Sequence, residues 1–182
     1  RENLRVSKKR ANTINDLGLS PDGYFLVTLH RQENVDNKNR FKGILEALTI
    51  IHEEHGMPLV FPVHPRTEKM IESFDLKLKG FQLIKPLGFL EFLQLESHAR
   101  LALTDSGGVQ EETCILNVPC VTIRDSTERP ETVDAGANII AGVDPATITD
   151  AADRMLAHNR SWKNPFGDGK AGDRIVDIVT SR

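Results

Sequence analysis

The sequence predicts a doubly wound α/β domain built on a parallel, Rossmann-like sheet, and three observations predict it. Short apolar runs alternate with stretches of helical spacing almost throughout the chain. The runs are apolar on both alternating positions, as in strands covered on both faces by helical crossovers. No Asn-Gly or Asp-Gly pair joins two strand-like runs as a tight hairpin would, since Asp22-Gly23 and Asp168-Gly169 each have a non-strand neighbour. The 182 residues are near the size of one compact domain, so residues 1–182 are read as a single unit.

The elements follow in order. Residues from Arg1 to about Leu19 read as one polar, amphipathic lead-in helix. Tyr24 to Thr28 is a buried strand, and Asn37 to Glu54 a helix with Phe41, Ile44, Leu45, Leu48 and Ile51 on one face. Gly56 and Pro58 end that helix. Leu59 to Val63 is the second strand, followed by a helix from about Arg66 to Phe74. Phe81 to Ile84, Leu101 to Thr104 and Cys120 to Ile123 continue the sheet, with helices at Phe89 to His98 and Val109 to Leu116 between them. Asn138 to Ile140 is a short last strand. Asp144-Pro145 opens a further helix, with proline at an early position as helices prefer, and Asp173 to Val179 closes the chain as a helix.

Composition narrows the function. A formal net charge of -3 and a pI of about 6.1 give no basic face for a nucleic-acid partner. The one basic cluster, Lys8-Lys9-Arg10, fits a solvated helix face. No apolar run approaches the roughly 20 residues of a membrane helix, and the opening residues lack a signal-peptide pattern. Cys114 and Cys120 match no zinc or redox spacing and are expected to be buried thiols in a reducing, cytoplasmic setting. The chain opens on Arg1 rather than Met, which suggests trimming or excision from a longer protein. His52 and His55 are three apart, not the four of zinc-protease helices, and read as a solvated helix end. Trp162 reads as a packing anchor.

Four polar motifs stand just after strands, where ligands bind in such sheets. Asp105-Ser106-Gly107-Gly108-Val109-Gln110-Glu111-Glu112 follows a strand and opens a helix. Its glycines admit close backbone approach, helix-start N–H groups attract anions, Ser106 adds a hydroxyl, and Glu112 lies a turn further on where it could accept from a ribose diol. A tight strand–helix turn with a solvated acidic pair fits the spacing equally well. His30-Arg31-Gln32-Glu33-Asn34 puts His30 where it could donate to a phosphate or move a proton. His64-Pro65-Arg66 is also consistent with a plain helix start. Arg129, in Thr127-Glu128-Arg129-Pro130-Glu131, could clamp a diphosphate or join a surface ion-pair mesh. None of the four suits a metal, and no cofactor motif is present. Together they point to an anionic ligand carrying a diol, a nucleotide diphosphate.

Three of these motifs, at His30–Asn34, Asp105–Glu112 and Thr127–Glu131, together with Asn164-Pro165-Phe166-Gly167-Asp168-Gly169, resemble in order and spacing the non-hydrolysing UDP-N-acetylglucosamine 2-epimerases, from about Tyr24 to the end. The resemblance implies the carboxyl-terminal half of a two-domain GT-B fold. It implies that Ser106, Gly107 and Gly108 hold the diphosphate, that Glu112 binds the ribose hydroxyls and that Arg129 lies at the UDP site. Phe92 would enclose uracil and the Leu87 backbone would read the base edge. His30, the candidate catalytic group, would reach the sugar–diphosphate region; Arg31 and His64 would touch a second UDP-N-acetylglucosamine acting as activator. The family reaction inverts the carbon bearing the acetamido group by eliminating UDP and adding it back. Its proton-transfer carboxylates lie in the amino-terminal domain, so this chain is expected to bind UDP without turning over alone. The expected partners are UDP, UDP-N-acetylglucosamine, the protein's own amino-terminal domain and a second copy of the full-length protein, in a polysaccharide-building role. A GT-B glycosyltransferase, a hydrolysing epimerase and a non-catalytic nucleotide-sugar sensor are the alternatives.

Overall fold

The computed structural model describes residues 2–181. Six parallel strands form one sheet in the order β3-β2-β1-β4-β5-β6. They are β1 (Phe25–Thr28), β2 (Leu59–Pro62), β3 (Phe81–Ile84), β4 (Leu101–Thr104), β5 (Cys120–Thr122) and β6 (Asn138–Ile140). The order runs outward one way through β2 and β3 and the other way through β5 and β6, so the topological switch point falls between β1 and β4. Those two strands pair from Phe25 opposite Leu101 to Thr28 opposite Thr104, which brings their carboxyl ends level.

The helices are α1 (Glu2–Arg10), α2 (Thr13–Asp16), α3 (Gln32–Val35), α4 (Lys38–His55), α5 (Pro65–Ser73), α6 (Phe89–Ser97), α7 (Gly107–Leu116), α8 (Pro130–Asp134), α9 (Pro145–Ala157) and α10 (Ala171–Thr180). Side chains alternate across each strand with period two, which divides the core into two layers. Phe25, Val27 and Phe61 face Phe41, Ile44 and Leu48 of α4 and Ile148 and Met155 of α9. Tyr24, Leu26, Ala102 and Cys120 face Ile14 of α2, Leu95 of α6 and Val109 of α7. Both cysteines are buried and unpaired. The buried Tyr24 hydroxyl donates to the Leu95 carbonyl.

The lead-in is two helices rather than one, with Arg1 outside the described residues. The break comes at Asn12, whose side chain accepts from Asn15 Nδ2 at 2.7 Å and donates to Asp16 at 3.0 Å. Such local bonds compete with a continuous helix. The short helices α3 and α8, absent from the sequence reading, lie within two of the polar motifs. His52 and His55 are engaged rather than solvated. His52 Nδ1 lies 2.8 Å from the Met57 carbonyl. A Cβ at Gly80, where φ is +81°, would overlap the His52 ring. His55 Nε2 lies 3.0 Å from Asp153, and its ring meets Phe25 edge-on. Trp162 does anchor, donating from Nε1 to the Cys114 carbonyl at 2.9 Å. On α10, by contrast, Ile175, Val176, Ile178 and Val179 all stand exposed. Among the described residues no helix is long and apolar enough to cross a membrane.

Candidate nucleotide site

The switch point opens into a cavity of about 260 Å³ lined by Thr28, Leu29, His30, Pro62, His64, Pro86, Leu87, Phe92, Ser106 and Val109. Five of the residues singled out from the sequence therefore share one opening: His30, His64, Leu87, Phe92 and Ser106. His30, His64, Leu87 and Ser106 arrive from the ends of β1, β2, β3 and β4, because parallel strands deliver all their carboxyl ends to one edge, and Phe92 comes from α6. A larger groove, about 700 Å³, lies elsewhere, between α4, the segment Asp75–Lys79 and Pro145. Its lining lacks the residues of the four motifs.

The floor of the site is braced by Asp105, which is fully buried. Its carboxylate accepts from the backbone N–H groups of His30, at 3.1 Å, and Arg31, at 2.9 Å, and from Asn34 Nδ2 at 3.2 Å. Asn34 is buried as well; it donates to the Ile123 carbonyl at 2.9 Å and accepts from Arg40 Nε at 2.8 Å. The loops after β1, β4 and β5 are thus tied through two short side chains. The Thr28 and Thr104 hydroxyls meet at 2.5 Å, and Thr104 also accepts from the Ser106 N–H at 2.9 Å.

His30 Nδ1 lies 3.1 Å from Asp105, with half of the His30 side chain in solvent. The hydrogen bond to Asp105 raises the imidazole above its ordinary value; burial and the Arg31 charge work against that rise. The ring accordingly favours its cationic form over a wider range of pH than a free histidine. His64 is held differently. Its Nδ1 accepts from the Arg66 N–H at 3.2 Å and caps α5, which leaves Nε2 as the donor.

Helix α7 begins at the cavity without a side-chain cap, since Ser106 occupies the N-cap position and makes no capping bond. Gly108 is exposed, whereas Gly107 is covered. A Cβ at Gly107 would meet the Glu128 carboxylate, and that carboxylate is held by Arg31 Nη2 at 3.1 Å and by Arg124 Nη1 at 2.5 Å. Arg129 stands apart from the cavity lining and pairs with Glu111. Glu112 is not in the cavity lining; it lines a separate cleft of about 190 Å³ with Asn3, Leu4, Phe89, Leu93, Ile115 and Leu116. It lies three residues, or about one helical turn, beyond Val109 of the main cavity. Burial raises the Glu112 carboxyl, the Glu96 carboxyl draws it down, and Glu111 raises it further.

Asp105 and Asn34 fall inside motifs read from the sequence, but their bracing role was not. The cue was present: an Asp directly after a buried strand, beside a hydroxyl and two glycines. A third grouping depends wholly on the fold. Glu54, His55 and Asp153 bring ligand-type atoms within 4.8 Å of one another across α4 and α9. They lie at the end of α4, which runs from the carboxyl edge of β1 to the amino edge of β2, and so at the edge of the sheet opposite the cavity.

Residues 1–180 match the family described as UDP-N-acetylglucosamine 2-epimerase. The chain belongs to that family. It is 51% identical over 187 residues to the UDP-N-acetylglucosamine 2-epimerase of Methanocaldococcus jannaschii, covering 98% of this chain and 51% of that protein. It is 47% identical over 185 residues to the enzyme of the same name from Methanococcus maripaludis, covering 98% of this chain and 50% of that protein. A crystal structure of the M. jannaschii UDP-GlcNAc 2-epimerase in complex with UDP-GlcNAc and UDP superposes with a TM-score of 0.89 at 50% identity, over all of this chain and 51% of that one. The chain spans about half the length of the curated relatives it matches. Its sheet is a Rossmann-like half of a GT-B fold.

Proposed function

We propose that residues 1–182 form the UDP-binding, carboxyl-terminal half of an epimerase that interconverts UDP-N-acetylglucosamine and UDP-N-acetylmannosamine by eliminating UDP and adding it back. The carrying observation is the switch-point cavity. His30, Leu87, Phe92 and Ser106 surround one opening, in a chain half identical to a protein crystallised with UDP-GlcNAc and UDP. The uncapped start of α7, with Ser106, Gly107 and Gly108, supplies N–H and O–H donors for a diphosphate without a metal. Arg129 joins them by exchanging Glu111 for phosphate. The Phe92 ring lies against uracil beside the Leu87 backbone, and Glu112 accepts from the ribose hydroxyls. His30, as an imidazolium, stabilises charge on the departing UDP.

Arg31 and His64 would meet a second nucleotide sugar as activator. The residues that move protons at the acetamido-bearing carbon belong to the amino-terminal half, which closes over this site and excludes water. The exposed apolar residues of α10 accord with cover by such a partner, and the unpaired thiols with a cytosolic setting. The full-length protein is proposed to be a homodimer.

Calorimetry tests the site directly. UDP should bind equally well with EDTA present, and Glu112→Ala should weaken it by about 1–3 kcal/mol. Unchanged affinity in Glu112→Ala would remove Glu112 from ribose recognition. For the reaction, the intact protein should release epimerised UDP-sugar without an acceptor. Transfer to an acceptor would mark a glycosyltransferase, and free N-acetylmannosamine a hydrolysing enzyme. The isolated chain in deuterated water should leave the acetamido-bearing carbon unlabelled; labelling at the intact protein's rate would place the whole apparatus here.

A further inference from the structure

Glu96 is an acid where an apolar residue is expected. It lies on the stripe of α6 formed by Phe89, Leu93 and Glu96, facing α7, and its side chain is fully buried. No N–H or O–H donor among the described residues reaches either of its carboxyl oxygens. The group that acts on it across the seam between α6 and α7 is the Glu112 carboxyl. An ionised Glu96 there would be a buried charge with no partner and a like charge beside it, an arrangement strongly disfavoured. A protonated Glu96 removes both penalties, because its O–H can donate to Glu112. The proton belongs on Glu96 rather than Glu112, because Glu96 is wholly enclosed while Glu112 opens onto its own cleft. In keeping with this, burial first and then the Glu112 charge push the Glu96 carboxyl well above the ordinary carboxylate range. The same dry layer pushes the Cys120 thiol up to about 12.

We infer that Glu96 is a positioning residue for ribose recognition: its buried carboxylic acid donates a hydrogen bond to the Glu112 carboxylate and fixes the face on which Glu112 accepts the ribose hydroxyls. The inference rests on Glu112 as the ribose acceptor. One Glu112 oxygen is occupied from behind by Glu96. The other is left to the cleft that Glu112 lines, with its lone pairs free and its charge retained. A buried neutral acid does this better than a lysine or arginine would, because it orients the carboxylate without neutralising it.

The test compares UDP with 2′,3′-dideoxy-UDP, which lacks both hydroxyls, by calorimetry on the intact protein. Glu96→Leu should fold at least as well as the parent, since it replaces a buried acid with an apolar side chain of similar size in an apolar seam. It should compress the preference for UDP over dideoxy-UDP by about tenfold, chiefly by weakening UDP. Glu96→Gln keeps an N–H donor and should hold the preference within about twofold of the parent. A parental preference in Glu96→Leu would overturn the inference. So would an equal loss in Glu96→Gln and Glu96→Leu, because packing would then account for the effect. Glu112→Ala is run alongside. If it leaves the preference unchanged, the ribose role of Glu112 itself fails; if it abolishes the preference while Glu96→Leu does not, only the inference about Glu96 fails.

Discussion

The longer helices on the two faces of the sheet begin in different ways. On one face, α4, α5 and α9 each start with a side chain that accepts from the first-turn N–H groups: Asn37, His64 and Asp144. On the other face, α6 starts at Gly88 and α7 at Ser106, with no side-chain cap at either. A capped helix satisfies its own orphan donors. An uncapped one leaves them to water or to a ligand. Both uncapped starts follow strands whose carboxyl ends border the switch-point cavity, so free donors remain at its rim. Of the capped helices, α4 serves packing most: it buries Phe41, Ile44, Leu45, Ala47, Leu48 and Ile51.

The contrast is broken most severely by removing the brace that holds the uncapped edge. Asp105→Ala leaves three N–H donors without their acceptor in a closed environment. Urea unfolding should show a loss of at least about 3 kcal/mol, the cost of several orphaned donors to a charged acceptor. A loss below about 1 kcal/mol would mean that water replaces the carboxylate and that the edge is not rigid.

A crossed pair of substitutions sharpens the comparison further. Asp144 accepts from Ala146 N at 3.0 Å and from Thr147 N at 3.4 Å. Asp144→Ala should cost about 1 kcal/mol of stability and leave UDP affinity alone. Ser106→Ala should do the reverse, changing stability by less than about 0.5 kcal/mol and weakening UDP by about 1 kcal/mol. If Ser106→Ala destabilised the fold as much as Asp144→Ala, the two faces would not differ as described.

The capped face was also the more legible one in the sequence. Phe41, Ile44, Leu45, Leu48 and Ile51 repeat at helical spacing, and Asp144-Pro145 announces a helix start. The strands were legible because they are buried on both faces and so read as unbroken apolar runs. The motifs after them could be placed because a parallel sheet puts every such loop on one edge. What escaped was of other kinds. Helices α3 and α8 have 4 and 5 residues, too few for any periodicity to register. The break at Asn12 depends on which bonds a short polar side chain makes. Nothing in the sequence marks Glu96; only the packing of α6 on α7 shows it enclosed. His55 and Asp153 lie 98 positions apart and are joined by the contact between α4 and α9.

The smallest expected effect is the pH response of His30, and its sign follows from the brace. Asp105 raises the folded-state imidazole above its ordinary value. A raised histidine contributes stability that is fully present below the ordinary imidazole value and is lost as pH rises through the folded value. The ring is half exposed, 48% of its side chain, so solvent screening should hold this contribution below about 1 kcal/mol. Unfolding measured across that window should show a slight decline with rising pH, absent in His30→Gln. UDP affinity should decline over the same window, because the imidazolium is the form that favours a phosphate. The titration of the His30 ring, followed by NMR, separates these from other groups. A midpoint at or below the ordinary imidazole value would show that burial and the Arg31 charge outweigh Asp105. The uncapped edge would then carry less positive charge toward the cavity than its geometry implies.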